Sequence, residues 1–106
     1  MAAEAGLARL DNGRYALRGV LEFATVAQLW DEGRELLCTA DAEVDLGGVT
    51  RADSAGVALL VAWLGEAVRY RHQLRFVNIP SHMHGIIRVS GLEQLLPAGE
   101  MPDPRS

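Results

Sequence analysis

The most constraining feature of this 106-residue chain is an apolar segment near its middle. From Ala55 to Gly65, the only polar group on a side chain is the indole N–H of Trp63. The segment has eleven residues, whereas a helix that crosses a membrane needs about twenty. Hydrophobic residues make up 49% of the chain and charged residues 23%, which favours a folded domain over a disordered chain. We therefore expect a helix of one small globular domain rather than a membrane span.

Turn and cap residues define the elements on the amino-terminal side of this segment. Asn12-Gly13 is typical of a hairpin turn and predicts two paired strands, over 7–10 and 14–23. Apolar residues at helical spacing follow and predict an amphipathic helix from about residue 26 to 38, with Thr25 as its N-cap. The chain therefore opens with a hairpin that leads into a helix.

Strands and helices alternate through the remainder of the chain. The predicted elements are a strand over 43–49, a turn over 50–52, a helix from Ser54 as N-cap to about residue 70, a strand over 74–79 and a helix from Ser81 as N-cap to about residue 89. The resulting order β-β-α-β-α-β-α predicts an α/β fold, a small mixed β-sheet with amphipathic helices packed against it. We expect this single domain to cover residues 1–97 and residues 98–106 to form a disordered tail.

The apolar helix carries more apolar residues than one buried face requires. Five of them can be assigned to the face that meets the core: Val57, Leu60, Val61, Leu64 and Val68. Four others lie on other faces: Ala58, Leu59, Ala62 and Trp63. Either neighbouring elements of the same domain or a partner protein must cover this second group. With a partner, Trp63 would be an interface anchor, and Trp63→Ala would reduce complex formation more than the melting temperature.

The entry to this helix, Asp53-Ser54-Ala55-Gly56, is the second informative feature. Ser54 is expected at the helix N-terminus, where free N–H groups and the helix dipole favour negative charge. Gly56 would allow another backbone or a phosphate to approach the first turn. The spacing leaves four roles open for Ser54: a plain N-cap, a phosphorylation site, a contact with a partner, or a nucleophile.

Composition and charge exclude several classes of function. The net charge of −4 disfavours general nucleic-acid binding, which requires a basic surface. All ten basic residues are Arg, so chemistry that depends on lysine is excluded. A single Cys excludes an internal disulfide and a zinc site built from several cysteines. The first residues lack the basic and apolar regions of a secretory signal, which favours a cytoplasmic location.

Two local patterns could indicate a catalytic or metal site. The segment 52–56 lacks only the first glycine of the Gly-x-Ser-x-Gly nucleophile elbow. The chain is too short for the hydrolase fold that uses this elbow, so we do not expect an enzyme. His82 and His84 are two residues apart and would point in different directions on a helix. We therefore expect no metal and no cofactor.

Several segments resemble the STAS domain, named after sulfate transporters and anti-sigma factor antagonists. The matching segments are Val44-Asp45-Leu46-Gly47-Gly48-Val49, Ala52-Asp53-Ser54-Ala55-Gly56, Leu59-Leu60, Arg75-Phe76-Val77-Asn78-Ile79-Pro80 and Ile87-Arg88-Val89-Ser90-Gly91-Leu92. The resemblance extends from about Tyr15 to Pro97. It implies a non-enzymatic module that binds protein partners.

Two branches of the STAS family imply two functions. In anti-sigma factor antagonists, the serine matching Ser54 is phosphorylated by a partner kinase, which breaks the complex. In MlaB-type proteins, the matching residue lies in the surface that docks on the ATPase MlaF. The ATPase belongs to a phospholipid-transport ABC complex that also contains the permease MlaE and the lipid-binding MlaD, and this complex maintains outer-membrane lipid asymmetry. The short hairpin, Trp30, Trp63 and the carboxyl-terminal Ser-Gly-Leu motif are more similar to MlaB.

The MlaB resemblance implies a cytoplasmic accessory subunit that binds the ATPase and regulates or stabilises it. Association with the inner membrane would then occur through the partner, without a membrane span, a cofactor or bound nucleic acid. The expected partner interface consists of Asp53, Ser54, Ala55, Gly56, Leu59 and Trp63. Ser54 is also the candidate phosphorylation site.

Overall fold

The computed structural model describes residues 4–37, 39–94 and 96. Its elements are β1 (Ala5–Asp11), β2 (Arg14–Leu21), α1 (Phe23–Leu37), β3 (Ala42–Ala52), α2 (Ser54–Arg69), β4 (Leu74–Val77) and α3 (Ser81–Val89). The predicted α/β class and the order β-β-α-β-α-β-α are confirmed. Cys38 and the predicted tail over 98–106 lie outside the described residues.

The strands form one mixed sheet in the order β1-β2-β3-β4. β1 and β2 are antiparallel because the Asn12-Gly13 turn joins them directly, as the sequence predicts. β2 and β3 are parallel, as are β3 and β4, because α1 and α2 serve as crossover connections. As a consequence, β2, β3 and β4 all end at one edge of the sheet, and α1, α2 and α3 all begin there. We call this edge the carboxyl edge.

The hydrophobic core is built from alternating strand residues and from the buried faces of the helices. In β2, Tyr15, Leu17 and Leu21 are buried, while Arg14 and Arg18 on the other face are exposed. The helices contribute Leu29, Leu37, Val57, Leu60, Met83 and Ile87 to the same core. The alternation in β2 therefore separates one buried face of the sheet from one polar face.

Several strand boundaries differ from the sequence prediction, and for two of them, in β3 and β4, the structure gives the cause. The segment 50–52 belongs to β3 rather than to a turn, because Arg51 and Ala52 pair with the last two residues of β2. β4 ends at Val77, two residues earlier than predicted, since Asn78 takes a φ of 55° and leaves the extended conformation. Pairing with a neighbouring strand determined the first boundary, and a backbone turn determined the second.

Two predicted helix caps have other roles. Thr25 lies inside α1, where its hydroxyl accepts from the Glu22 N–H at 3.1 Å and donates to the Val20 carbonyl at 2.8 Å. Ser81 is the first residue of α3, and the N-cap residue Pro80 supplies no side-chain hydrogen bond. The Thr25 hydroxyl therefore links the end of β2 to the start of α1 by hydrogen bonds instead of capping the helix.

The faces of the apolar helix α2 also differ in part from the prediction. Val57 and Leu60 are buried as expected, and Val61 and Leu64 are half-buried. Val68 is wrongly assigned to the core, because it lies in the last turn of α2 and 73% of it is exposed. Among the described residues, no helix is long and apolar enough to span a membrane.

Candidate functional site

The predicted site lies at the carboxyl edge, where β3 passes into α2. The Asp53 N–H donates to the Leu21 carbonyl at 3.0 Å, directly after the last paired residues of β2 and β3. This bond joins the ends of two neighbouring parallel strands immediately before the chain turns into the helix. The first turn of α2 is thereby anchored to the sheet.

Asp53, not Ser54, is the N-cap of α2. Its backbone is extended, with φ −110° and ψ −169°, and its carboxylate accepts from the Ala55 N–H at 2.8 Å. The Asp53 carbonyl also accepts from the Gly56 N–H at 3.0 Å. The prediction that Ser54 caps the helix is therefore wrong, because the preceding carboxylate already satisfies an N–H group of the first turn.

Ser54 is the first residue of α2, and it is exposed. Its hydroxyl makes no hydrogen bond to any residue within 4–37, 39–94 or 96. The side chain therefore presents both a donor and an acceptor at the surface, beside the positive end of the helix dipole. Of the four roles open from the sequence, this placement removes that of plain N-cap.

Gly56 is buried and allows the start of α2 to lie close to the end of β2. A Cβ at this position would lie 2.7 Å from the Leu21 Cβ and 3.2 Å from the Leu21 carbonyl oxygen. A side chain would therefore push the helix away from the strand. The close approach that the sequence suggested is thus made by β2 of the same chain.

Leu59 and Trp63 lie beneath the surface. Leu59 is 5% exposed and Trp63 is 0% exposed, and the Trp63 indole N–H donates to the Trp30 carbonyl in α1 at 3.4 Å. Of the four apolar residues that periodicity left off the core face, Leu59 and Trp63 are therefore buried, with Trp63 against α1, whereas Ala58 and Ala62 are exposed. This burial corrects the interpretation of Trp63 as an exposed anchor, because a partner on the surface does not reach its side chain.

The carboxyl edge also carries an exposed aromatic side chain and an ion pair that the sequence did not predict. Phe23, in the first turn of α1, is 85% exposed, and the neighbouring Glu22 pairs with Arg51 of β3 at 3.5 Å. The sequence pattern predicts Phe23 at the end of a strand. No local signal distinguishes it from a core residue, because its exposure follows from α1 beginning beyond the edge of the sheet.

The histidines of α3 do not form a metal centre with other described residues. His82 places Nε2 3.3 Å from the Val49 carbonyl, and His84 Nε2 is buried without a hydrogen-bond partner among the described residues. No three His, Cys, Asp or Glu side chains within the described ranges are grouped to hold a metal ion.

A groove of about 540 Å³ lies between the start of β1, the end of β2 and α1. Its lining residues are Glu4, Ala5, Gly6, Arg18, Gly19, Ala24, Thr25 and Gln28. None of the six predicted interface residues lines this groove.

Comparison with solved structures identifies proteins of the same fold. SpoIIAA, an anti-sigma factor antagonist from Bacillus, superposes in its unphosphorylated form with a TM-score of 0.68 at 16% identity, over 88% of this chain and 85% of that one. An anti-sigma factor antagonist from Mycobacterium paratuberculosis gives a TM-score of 0.70 at 16% identity, over 91% and 84%. The murine anion transporter Solute Carrier 26 family member A9 gives 0.64 at 16% identity, over 87% of this chain but only 16% of the transporter.

The family comparison is more specific than the structural one. No curated protein matches the sequence. The model of the family described as Mlab, STAS domain, matches residues 6–97, which include β1 from its second residue onward, the other three strands and all three helices. The chain therefore belongs to the Mlab STAS domain family.

Proposed function

We propose that this chain is the STAS-domain accessory subunit of the Mla phospholipid-trafficking ABC transporter. In this role it binds the ATPase subunit MlaF and regulates or stabilises it, without catalysing a reaction itself. The observation that carries the proposal is the match to the Mlab STAS domain family over residues 6–97. Through MlaF the chain is held at the inner membrane, in a complex with the permease MlaE and the lipid-binding MlaD that maintains outer-membrane lipid asymmetry.

The start of α2 is the surface that we assign to MlaF. Asp53 and Ser54 are exposed there, and Ser54 has a hydroxyl without a partner among the described residues. The bonds from Asp53 to Leu21 and Ala55 hold this turn in one conformation, so little entropy is lost when a partner binds. Ala55 and Gly56 lie behind the two exposed residues and shape the surface, while Leu59 and Trp63 support it from within.

The direct test is reconstitution of the complex from purified proteins. The full chain is mixed with MlaF, and complex formation is measured by size-exclusion chromatography with light scattering. The rate of ATP hydrolysis is measured with and without the chain. We expect a stable complex and a changed ATPase rate or a raised MlaF melting temperature. Failure of the two folded proteins to associate would contradict the proposal.

A second candidate function is that of an anti-sigma factor antagonist regulated by phosphorylation at Ser54. It is supported by the fold shared with two anti-sigma factor antagonists and by the exposure of the Ser54 hydroxyl. Affinity purification of the chain from its own cells distinguishes the two candidates. Recovery of an ATPase and a permease supports the Mla role, whereas recovery of a protein kinase that phosphorylates Ser54 supports the second role.

A further inference from the structure

An exposed aromatic side chain lies at the carboxyl edge, beside the surface assigned to MlaF. Phe23 is 85% exposed in the first turn of α1. Tyr70, which is 54% exposed, lies at the other end of the sheet, where α2 ends. Among the described residues, the other large apolar side chains that are exposed, Leu10, Val68 and Val89, also lie at that opposite end, so Phe23 is the one presented at the carboxyl edge.

Phe23 and Ser54 begin adjacent helices that are joined through the end of β2. Leu21 accepts a hydrogen bond from the Asp53 N–H at 3.0 Å, and its side chain lies against Gly56 in the first turn of α2. Phe23 follows Leu21 by two residues and Ser54 follows Asp53 by one. The aromatic ring and the hydroxyl are therefore presented by two helix starts that flank the same strand end.

The backbone that carries Phe23 is held firmly. The Thr25 hydroxyl accepts from the Glu22 N–H at 3.1 Å and donates to the Val20 carbonyl at 2.8 Å, and the Glu22 carbonyl lies 3.0 Å from it. The Glu22 carboxylate also pairs with Arg51 of β3 at 3.5 Å. A side chain on such a fixed turn loses less conformational freedom on binding than one on a mobile loop.

We propose that Phe23 is the apolar anchor of the interface with the ATPase subunit. The ring enters an apolar pocket of that subunit, and the Ser54 hydroxyl meets a hydrogen-bond acceptor at the rim of the pocket. This inference rests on the proposed function and extends the same surface from α2 to α1. Interface anchors are typically aromatic residues that fill a pocket and are surrounded by weaker polar contacts.

The test is isothermal titration calorimetry of the full chain against MlaF, with Phe23→Ala, Phe23→Leu and Tyr70→Ala. We expect Phe23→Ala to raise the Kd about tenfold or more and Phe23→Leu to raise it less, because leucine keeps part of the apolar volume. Tyr70→Ala is the matched control at the opposite edge and is expected to leave the Kd within about threefold. Since the Phe23 ring is exposed, all three variants should melt close to the wild type.

The outcomes separate this inference from the proposed function. If the wild type binds MlaF and Phe23→Ala binds as tightly as Tyr70→Ala, the anchor is refuted while the proposed function stands. If the wild type does not bind MlaF, both fail. Sedimentation velocity of the chain alone is the second measurement. A dimer that Phe23→Ala dissociates would assign the ring to self-association and overturn the inference.

Discussion

Trp63 of α2 lies directly against Gly33 of α1. A Cβ built at Gly33 would overlap the Cε2, Cζ2 and Nε1 atoms of the indole ring. The two helices can therefore pack at their observed separation only because position 33 has no side chain. This single contact places the largest fully buried side chain of the described core against α1.

The Gly33–Trp63 contact predicts that Gly33→Ala destabilises the fold. Overpacking of a filled core costs about 1–3 kcal/mol, and this cost exceeds the gain of up to about 1 kcal/mol from replacing glycine in a helix. We expect a net loss of about 1–2 kcal/mol, measured by urea unfolding at 25 °C. Gly65→Ala is the matched control, because Gly65 lies in α2 with no atom within 4 Å of the added Cβ. An equal loss in both variants would contradict the steric explanation.

The burial of Trp63 predicts that Trp63→Ala acts on stability first. Truncation of a buried tryptophan costs about 3–5 kcal/mol, and it also leaves the Trp30 carbonyl without the indole donor. We expect a large fall in melting temperature, the reverse of what an exposed interface anchor would give. Trp63→Phe should retain more stability, since it preserves most of the apolar volume. A Trp63→Ala variant that melts like the wild type but no longer binds MlaF would restore the interface interpretation.

The fold follows largely from local sequence signals. Asn12-Gly13 accounts for the hairpin, and the alternation of strands and helices accounts for the parallel pairing of β2, β3 and β4. The faces of α2 could not be assigned in the same way, because both the sheet and α1 cover it. A glycine at position 33, thirty residues away, determines where Trp63 lies. Periodicity within one helix contains no information about such a contact.

The sequence predicts the position of the candidate site but not its details, because these also depend on contacts between elements. Asp53 and Ser54 are both good N-cap residues, so local propensity does not distinguish them. The choice depends on where β3 stops pairing with β2, which is at Ala52, opposite Leu21. The residue that follows the last pair becomes the cap, and Ser54 becomes the first helical residue. The exposure of Phe23 does not follow from local sequence either, because it depends on where α1 begins relative to the carboxyl edge.

The cap geometry predicts different effects for two adjacent substitutions. Asp53→Ala removes the acceptor of the Ala55 N–H and should cost about 1 kcal/mol of unfolding free energy. Ser54→Ala removes a hydroxyl that has no partner among the described residues, so its effect should stay within about 0.5 kcal/mol. Chemical denaturation of both variants checks the order. A larger loss for Ser54→Ala than for Asp53→Ala would show that Ser54 is the cap after all.

The exposure of Ser54 predicts that Ser54→Glu weakens binding to MlaF without unfolding the chain. A carboxylate at a helix N-terminus interacts favourably with the helix dipole, so the melting temperature should hold or rise slightly. At the interface the same group adds volume and charge beside the exposed Asp53 carboxylate, and the desolvation of unpaired charge opposes docking. We expect the Kd measured by calorimetry to rise about tenfold or more. Thr39→Glu, an exposed position after α1 at the opposite edge of the sheet, is the control and should bind like the wild type. Unchanged binding of Ser54→Glu would exclude the start of α2 from the interface.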